Sequence, residues 1–344
     1  MIRNILSLIF FQIITVFFLL FIFEFGLRFY FKDNESFNCY QKVKDQRKYF
    51  NGKNCYYIER YFEKNKPTLY ITNQDGVRIT NKINNNGTRK IYFVGDSFTF
   101  GYLSDYEETY PYNSIKYYNK ESNKEKSVEV NLGVNGYQFK QNYYMINKLS
   151  KNLKDNKSLI IYGLTPNDIF DIESFDNENK LIKQSLMDQV KSNIDSMKIL
   201  SIKYITSLFL KSDKIYNFLY DQKGDAAGYI NKNGSKSWEN KYFLLKKDLY
   251  SLDINIKNNL LIIIIPQQIQ IRLLKQGKKD DALSFDRKIL EICKNVGIQC
   301  VSFTEKLSKR LNYKTHFVKD GHLYPLSNIE YGKFLGEYLV FKGF

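Results

Sequence analysis

A chain of 344 residues with 43% hydrophobic content is long enough for one large α/β domain plus an attachment. Its net charge of +16 would suit an acidic surface such as anionic lipid or an acidic glycan. However, Lys, Asn, Ile and Tyr are spread along the whole chain without a dense basic block or an internal repeat, which argues against nucleic acid as a partner.

The first element is apolar. From Ile5 to Phe23 no residue is charged, and only Ser7, Gln12 and Thr15 interrupt the run. Roughly 20 such residues span a bilayer. The segment continues into Glu24-Phe25-Gly26-Leu27-Arg28 without a small-residue cleavage site, so residues 1–32 are predicted to be an uncleaved transmembrane anchor with the lipid bilayer as its partner. Glu24 and Arg28 have the helical spacing of an ion pair at the membrane boundary. Residues 33–69 are polar and irregular in pattern, as a stalk or cap would be, and residues 70–344 carry the main domain.

Five apolar runs follow, each sized for a buried strand: Ile91 to Val94, Val128 to Leu132, Leu159 to Tyr162, Leu260 to Ile265 and Cys300 to Phe303. Continuous apolar strands separated by helical segments predict a flavodoxin-like α/β fold, a three-layer sandwich with a five-stranded parallel sheet. Trp238, Tyr242, Leu245, Leu249, Leu252 and Ile256 fall on one helical face, which makes the lone tryptophan a core residue. Tyr331, Phe334, Leu335 and Tyr338 repeat the pattern in a terminal helix. Between about 172 and 237 lies a helical insertion, with apolar positions Met187, Val190, Ile194 and Met197, then Ile205, Leu208 and Phe209. It leaves the third strand and either covers a site or simply packs.

Chemistry concentrates at the carboxyl ends of the strands, where such sheets place ligands. Gly95-Asp96-Ser97-Phe98 follows the first strand, Gly133 closes the second, Asn167-Asp168 follows the third, and Asp320-Gly321-His322 precedes the last helix. Each block alone is ordinary: Gly-Asp-Ser is a common turn, Asn-Asp after Thr-Pro a routine helix start, and Gly133 a turn glycine. Serine, glycine, asparagine and histidine in this order resemble the SGNH (GDSL-type) hydrolases over about residues 73–339. Asn73-Gln74-Asp75-Gly76-Val77-Arg78 resembles the lead-in of membrane-anchored members.

The resemblance implies that Ser97 is the nucleophile, that His322 is its base, and that the Ser97 and Gly133 amides and the Asn167 side chain bind the oxyanion. The family places an acid three residues before the histidine, and that position here is Lys319. Asp320, two residues before, is expected to orient His322, with Asp168 as backup. Side chains at i and i+2 of an extended segment share a face, and Gly321 allows the turn that would join them. His316 has no acid beside it and reads as a loop or packing histidine.

The resemblance further implies an esterase acting on an O-acyl group, expected to be acetyl, of a bacterial cell-envelope carbohydrate, with no cofactor or metal. An O-acyltransferase supplied by a membrane acyl-donor protein is the alternative, and an inert envelope-assembly or glycan-binding protein is a second. Positive-inside counting of Arg3 against Arg28, Lys32, Lys42 and Lys44 favours a cytoplasmic domain, but long domains translocate largely regardless of charge. The expected location is the cell membrane, single-pass, with the domain outside the cytoplasm. There Cys39 with Cys55 and Cys293 with Cys300 would form two local disulfides, and free thiols are the alternative.

Overall fold

A computed structural model describes residues 2–30, 40–42, 49–59, 61, 64, 66–80, 87–149, 158–170, 172, 236–310, 314–317 and 320–344. Most of the predicted helical insertion, and with it Met187 through Phe209, lies outside the described residues. Two compact units divide the chain, residues 1–36 with 179–223, and residues 37–178 with 224–344.

In the first unit, helix α1 runs Ile2–Tyr30. Its described side chains, 10–26, are apolar apart from Gln12, Thr15 and Glu24, and all but the half-buried Glu24 are exposed. Among the described residues, no helix is long and apolar enough to cross a membrane. The ion pair expected between Glu24 and Arg28 involves an Arg28 side chain outside the described residues.

The second unit is built on one eight-stranded sheet. Short strands β1 (Tyr40–Lys42) and β2 (Tyr49–Asn51) pair separately. The main sheet contains β3 (Tyr56–Glu59), β4 (Thr68–Thr72), β5 (Arg78–Ile79), β6 (Arg89–Gly95), β7 (Ser127–Asn131), β8 (Leu159–Leu164), β9 (Leu260–Ile264) and β10 (Gln299–Ser302), in the order β10-β9-β8-β6-β7-β5-β4-β3. From β10 to β7 every pairing is parallel, and from β7 to β3 every pairing is antiparallel.

The expectation of a five-stranded parallel sheet is thereby corrected. The five expected strands are present in flavodoxin order, but β5, β4 and β3 extend the β7 edge, which would otherwise expose unpaired backbone groups. Thr68 to Thr72 alternates buried and half-buried side chains, the period-2 signature of a strand with one covered face. Part of the predicted irregular stalk is therefore sheet.

Helices cover both faces. On one, α4 (Phe139–Leu149), α5 (Lys236–Tyr250), α6 (Ile254–Asn258) and α8 (Lys279–Val296) bury Tyr92, Ile160, Ile262, Trp238, Tyr242 and Phe285 in one core. On the other, α3 (Tyr110–Glu121) and α10 (Pro325–Lys342) bury Phe93, Ile161, Ile263, Tyr110, Tyr331 and Phe334. The single helical face predicted from Trp238 to Ile256 is buried throughout but divided, because Asp253 caps a new helix with its side chain on the Asn255 amide at 2.8 Å. Helix α7 (Gln268–Lys275) follows β9, and α9 (Thr304–Lys309) follows β10.

The cysteine expectation is half corrected. Cys55 is disulfide-bonded, and Cys39 lies outside the described residues. Cys293 and Cys300 are free thiols, the former buried in α8 and the latter on β10. Hydrogen bonding between them, then burial, pushes the Cys300 thiol well up, so the thiolate needed for disulfide exchange is disfavoured there.

Candidate active site

Strand β6 ends at Gly95, and the next residue caps a short helix, α2 (Ser97–Phe100). The Asp96 side chain accepts the Phe98 amide at 2.9 Å, the N-cap interaction that starts the helix. Ser97 is thus the first helical residue, and its amide has no acceptor within the helix.

The loop behind α2 is clamped by a buried cation. Arg78, fully buried, donates to the carbonyls of Phe100, Gly101 (2.8 Å) and Ser104 (2.6 Å). Its guanidinium lies 4.7 Å from the ring centroids of both Tyr70 and Phe100. Orphan carbonyls at a helix end are a favourable place for a cation, which gives the Asn73–Arg78 segment a physical role at the site.

Residues 225 positions apart meet across the top of the sheet: the Ser97 hydroxyl donates to His322 Nε2 at 2.6 Å. The other ring nitrogen, Nδ1, donates to Asp320 Oδ1, which also accepts the His322 amide at 3.3 Å. Gly321 has φ +86°, a left-handed conformation that favours glycine and folds Asp320 back onto His322. The rings of Phe98 and Tyr102 pack on the imidazole at centroid distances of 4.7 and 5.1 Å. The imidazole therefore has one hydrogen-bond partner on each nitrogen and aromatic contacts on its ring.

Asn167 also reaches this end of the sheet. It lies in the 3-10 turn Pro166–Ile169 after β8, and its Nδ2 donates to Asp96 Oδ2 at 3.1 Å while its Oδ1 accepts from Gln267 Nε2 at 3.0 Å. One Nδ2 hydrogen serves Asp96, and the second remains for a substrate oxygen. Thr165 Oγ1 adds a further donor to Asp96 Oδ2 at 3.1 Å. Burial pushes the Asp96 carboxyl up from its ordinary value, opposed by the bonds from Phe98, Asn167 and Thr165.

Two expected roles take a different form. The Gly133 amide donates to Asn131 Oδ1 at 3.0 Å rather than standing free for an oxyanion. The need for glycine is steric: a Cβ there would lie 2.2 Å from the Phe100 nitrogen, so Gly133 lets the β7 exit pass against the helix carrying Ser97. Asp168, the backup orienter, makes its hydrogen bonds to other residues than His322. It accepts from the Thr165 amide at 2.9 Å and from the Tyr162 hydroxyl at 3.2 Å, and burial followed by the nearby Asp96 charge pushes its carboxyl well up.

His316 is a packing residue. It is buried, with Nε2 donating to the Pro266 carbonyl at 3.0 Å and Nδ1 3.0 Å from the Thr315 hydroxyl. Burial holds its pKa down at about 4. A depressed folded-state value means that the unfolded chain takes up the proton first. The neutral His316 contribution is complete above about pH 6.5 and is lost as pH falls towards about 4, amounting to roughly 3 kcal/mol at most. His316→Gln, which preserves a donor to Pro266, should flatten this acid limb when urea unfolding is compared at pH 7 and pH 4.5. An unchanged limb would place the acid sensitivity elsewhere.

The residues that sequence reasoning missed are Asp96 as the partner of Asn167, Gln267, and Arg78 as the clamp. Among the described residues, no cluster of His, Cys, Asp or Glu is arranged to hold a metal ion.

No family model and no curated protein sequence matches the chain. Among solved structures, it is similar to a lipolytic protein of the G-D-S-L family from Veillonella parvula, at 13% identity and TM-score 0.40, covering 74% of this chain and 98% of that one. It is also similar to an acetylxylan esterase from Geobacillus stearothermophilus, at 11% identity and TM-score 0.38, covering 76% and 97%. A third similar structure is TesA, at 11% identity and TM-score 0.40, covering 73% and 98%. Likeness at this level carries none of the functional reading, which rests on the geometry around Ser97.

Proposed function

We propose that the chain is a serine esterase of SGNH type that transfers an acyl group from its ester substrate to Ser97 and then to water. The observation carrying this reading is the continuous hydrogen-bonded path Ser97–His322–Asp320, with an Asn167 amide hydrogen nearby for the developing oxyanion. His322 takes the Ser97 proton as Oγ attacks the ester carbonyl. It returns that proton to the leaving alkoxide, and water attacks the acyl-serine by the same route in reverse. Asp320 keeps the proton on Nδ1, so that Nε2 faces Ser97 as a base, and stabilises the imidazolium that forms. Two donors serve the oxyanion in this account, the Ser97 amide and Asn167 Nδ2.

The substrate class we infer is an O-acetylated carbohydrate of the cell envelope, following the family that the ordered blocks resemble. The chain is further read as membrane-anchored, with its catalytic unit outside the cytoplasm. Support comes from the uncharged run Ile5 to Phe23 and from the exposed apolar side chains of the one helix that contains it.

One preparation tests these points together. Membranes from cells expressing the full chain are washed with alkali and assayed for acetate release from acetylated oligosaccharides and aryl acetates, with and without free sugar acceptors. Ser97-dependent release that stays with the membranes and does not need an acceptor is expected. Turnover only with an acceptor would make the protein an O-acyltransferase. Recovery of the chain in the alkaline wash would remove the anchor, and no Ser97-dependent release from any ester would leave the scaffold reading.

A further inference from the structure

An oxyanion donor on an asparagine side chain works only if the carboxamide keeps its nitrogen towards the substrate. Asn167 sits half-buried on a short turn and can rotate about its own side-chain torsions, so something must fix it. Its two polar atoms are held from opposite directions. Asp96 Oδ2 accepts from Nδ2, and Gln267 Nε2 donates to Oδ1. A flipped Asn167 would set acceptor against acceptor at Asp96 and donor against donor at Gln267.

Gln267 is itself fixed. It is the N-cap of α7, where its backbone amide donates to Gln270 Oε1 at 3.0 Å and its carbonyl accepts the Gln270 amide at 3.0 Å. This reciprocal pair fixes the Gln267 backbone at the start of the helix, from which its Nε2 reaches Asn167 Oδ1. Gln270 is anchored in turn by Nε2 bonds to the Ala282 carbonyl at 3.0 Å and to the buried Asp286 at 2.8 Å. The preceding peptide is pinned as well, since the Pro266 carbonyl accepts from His316. A chain of oriented amides thus runs from the α7–α8 pair to the residue beside the nucleophile.

We propose that Gln267 is a positioning residue that sets the orientation of the Asn167 carboxamide and so aims its free N–H at the reacting carbonyl oxygen. This deepens the esterase reading and rests on it. Gln267 touches neither Ser97 nor His322 in the contacts described. Its effect should therefore pass through Asn167 and appear in the chemical step rather than in substrate binding.

The discriminating substitution is Gln267→Glu. It is nearly isosteric, leaves both backbone bonds with Gln270 in place, and suits a helix N-terminus, so the cap survives. At pH 8 an ordinary glutamate is ionised. A carboxylate oxygen would then face Asn167 Oδ1 and drive the amide to turn its nitrogen away from the site.

Four forms of the full chain in detergent, the wild type, Gln267→Glu, Asn167→Ala and the double variant, are compared for aryl acetate turnover. Loss of one oxyanion donor typically costs about 100- to 1000-fold in turnover. Asn167→Ala should show that loss, and Gln267→Glu should lower kcat by at least about tenfold, a fraction of it, while KM stays nearly constant. The double variant should be no slower than Asn167→Ala alone. A double variant that falls by the product of the two single effects, or a Gln267→Glu protein with unchanged kcat, would overturn the proposal.

Should the wild type prove inert towards esters, the esterase reading fails separately. The orientation claim is then decided by the side-chain amide signals of 15N-asparagine-labelled protein, with the Asn167 pair identified by its absence from Asn167→Ala. Gln267→Glu should shift that pair, and an unmoved pair overturns the assignment.

Discussion

Ser97→Ala and His322→Ala should each remove about a millionfold of kcat, the scale reached when a hydrolase loses its nucleophile or its base. The losses should not multiply. Nucleophile and base act as one unit through the 2.6 Å bond from the Ser97 hydroxyl to His322 Nε2, so the double variant should be about as slow as either single one. His316→Gln should keep turnover, because His316 is buried against Pro266 and holds its proton on the nitrogen bonded there. Steady-state hydrolysis of an aryl acetate measures all four proteins. Full loss in His316→Gln with retention in His322→Ala would exchange the two roles.

Asp320→Asn is the second large effect. The carboxylate receives the Nδ1 proton of His322 and thereby leaves Nε2 unprotonated towards Ser97. An asparagine whose NH2 faces Nδ1 would favour the other tautomer, placing a proton on Nε2 and removing the base. In a serine protease the equivalent change costs about 10,000-fold in kcat with the geometry intact. We expect a loss approaching that size here, partly recovered at high pH, with an unfolding midpoint close to that of the wild type. An Asp320→Asn protein as active as the wild type would reduce the site to a Ser97–His322 dyad.

Much of this arrangement was legible in the sequence because its signals are local. An apolar run followed by Gly-Asp-Ser places a serine at a strand end, and Asp320-Gly321-His322 carries the acid, the flexible residue and the base within three positions. The departure from the family's spacing at Lys319 is met by the left-handed Gly321, a solution that three consecutive residues can express. The Trp238 to Ile256 face was readable for the same reason, since helical periodicity is a local property, although the Asp253 cap divides the element.

What could not be read depends on contacts between distant segments. Gln267 lies 100 positions from Asn167 and occupies an unremarkable strand-to-helix turn, so no local pattern marks it. Arg78 looked like part of a lead-in and acquires its role only when the chain brings it under the carbonyls of residues 100, 101 and 104. Strands β3 to β5 were missed because short polar strands at a sheet edge lack the apolar runs of the central ones. Their alternation at Thr68 to Thr72 was the available signal. Gly133 had a glycine's signature in sequence, but only its 2.2 Å approach to the Phe100 nitrogen shows that space, rather than an amide donor, is what the position supplies.

The central claim is that Ser97 is a nucleophile activated by His322. Its most direct test is the site of covalent modification. The full chain is treated with a fluorophosphonate, digested, and mapped by mass spectrometry. A single phosphonyl adduct on Ser97 is predicted, lost in His322→Ala and retained in His316→Gln. Absence of an adduct on Ser97, or equal labelling after His322→Ala, would contradict it.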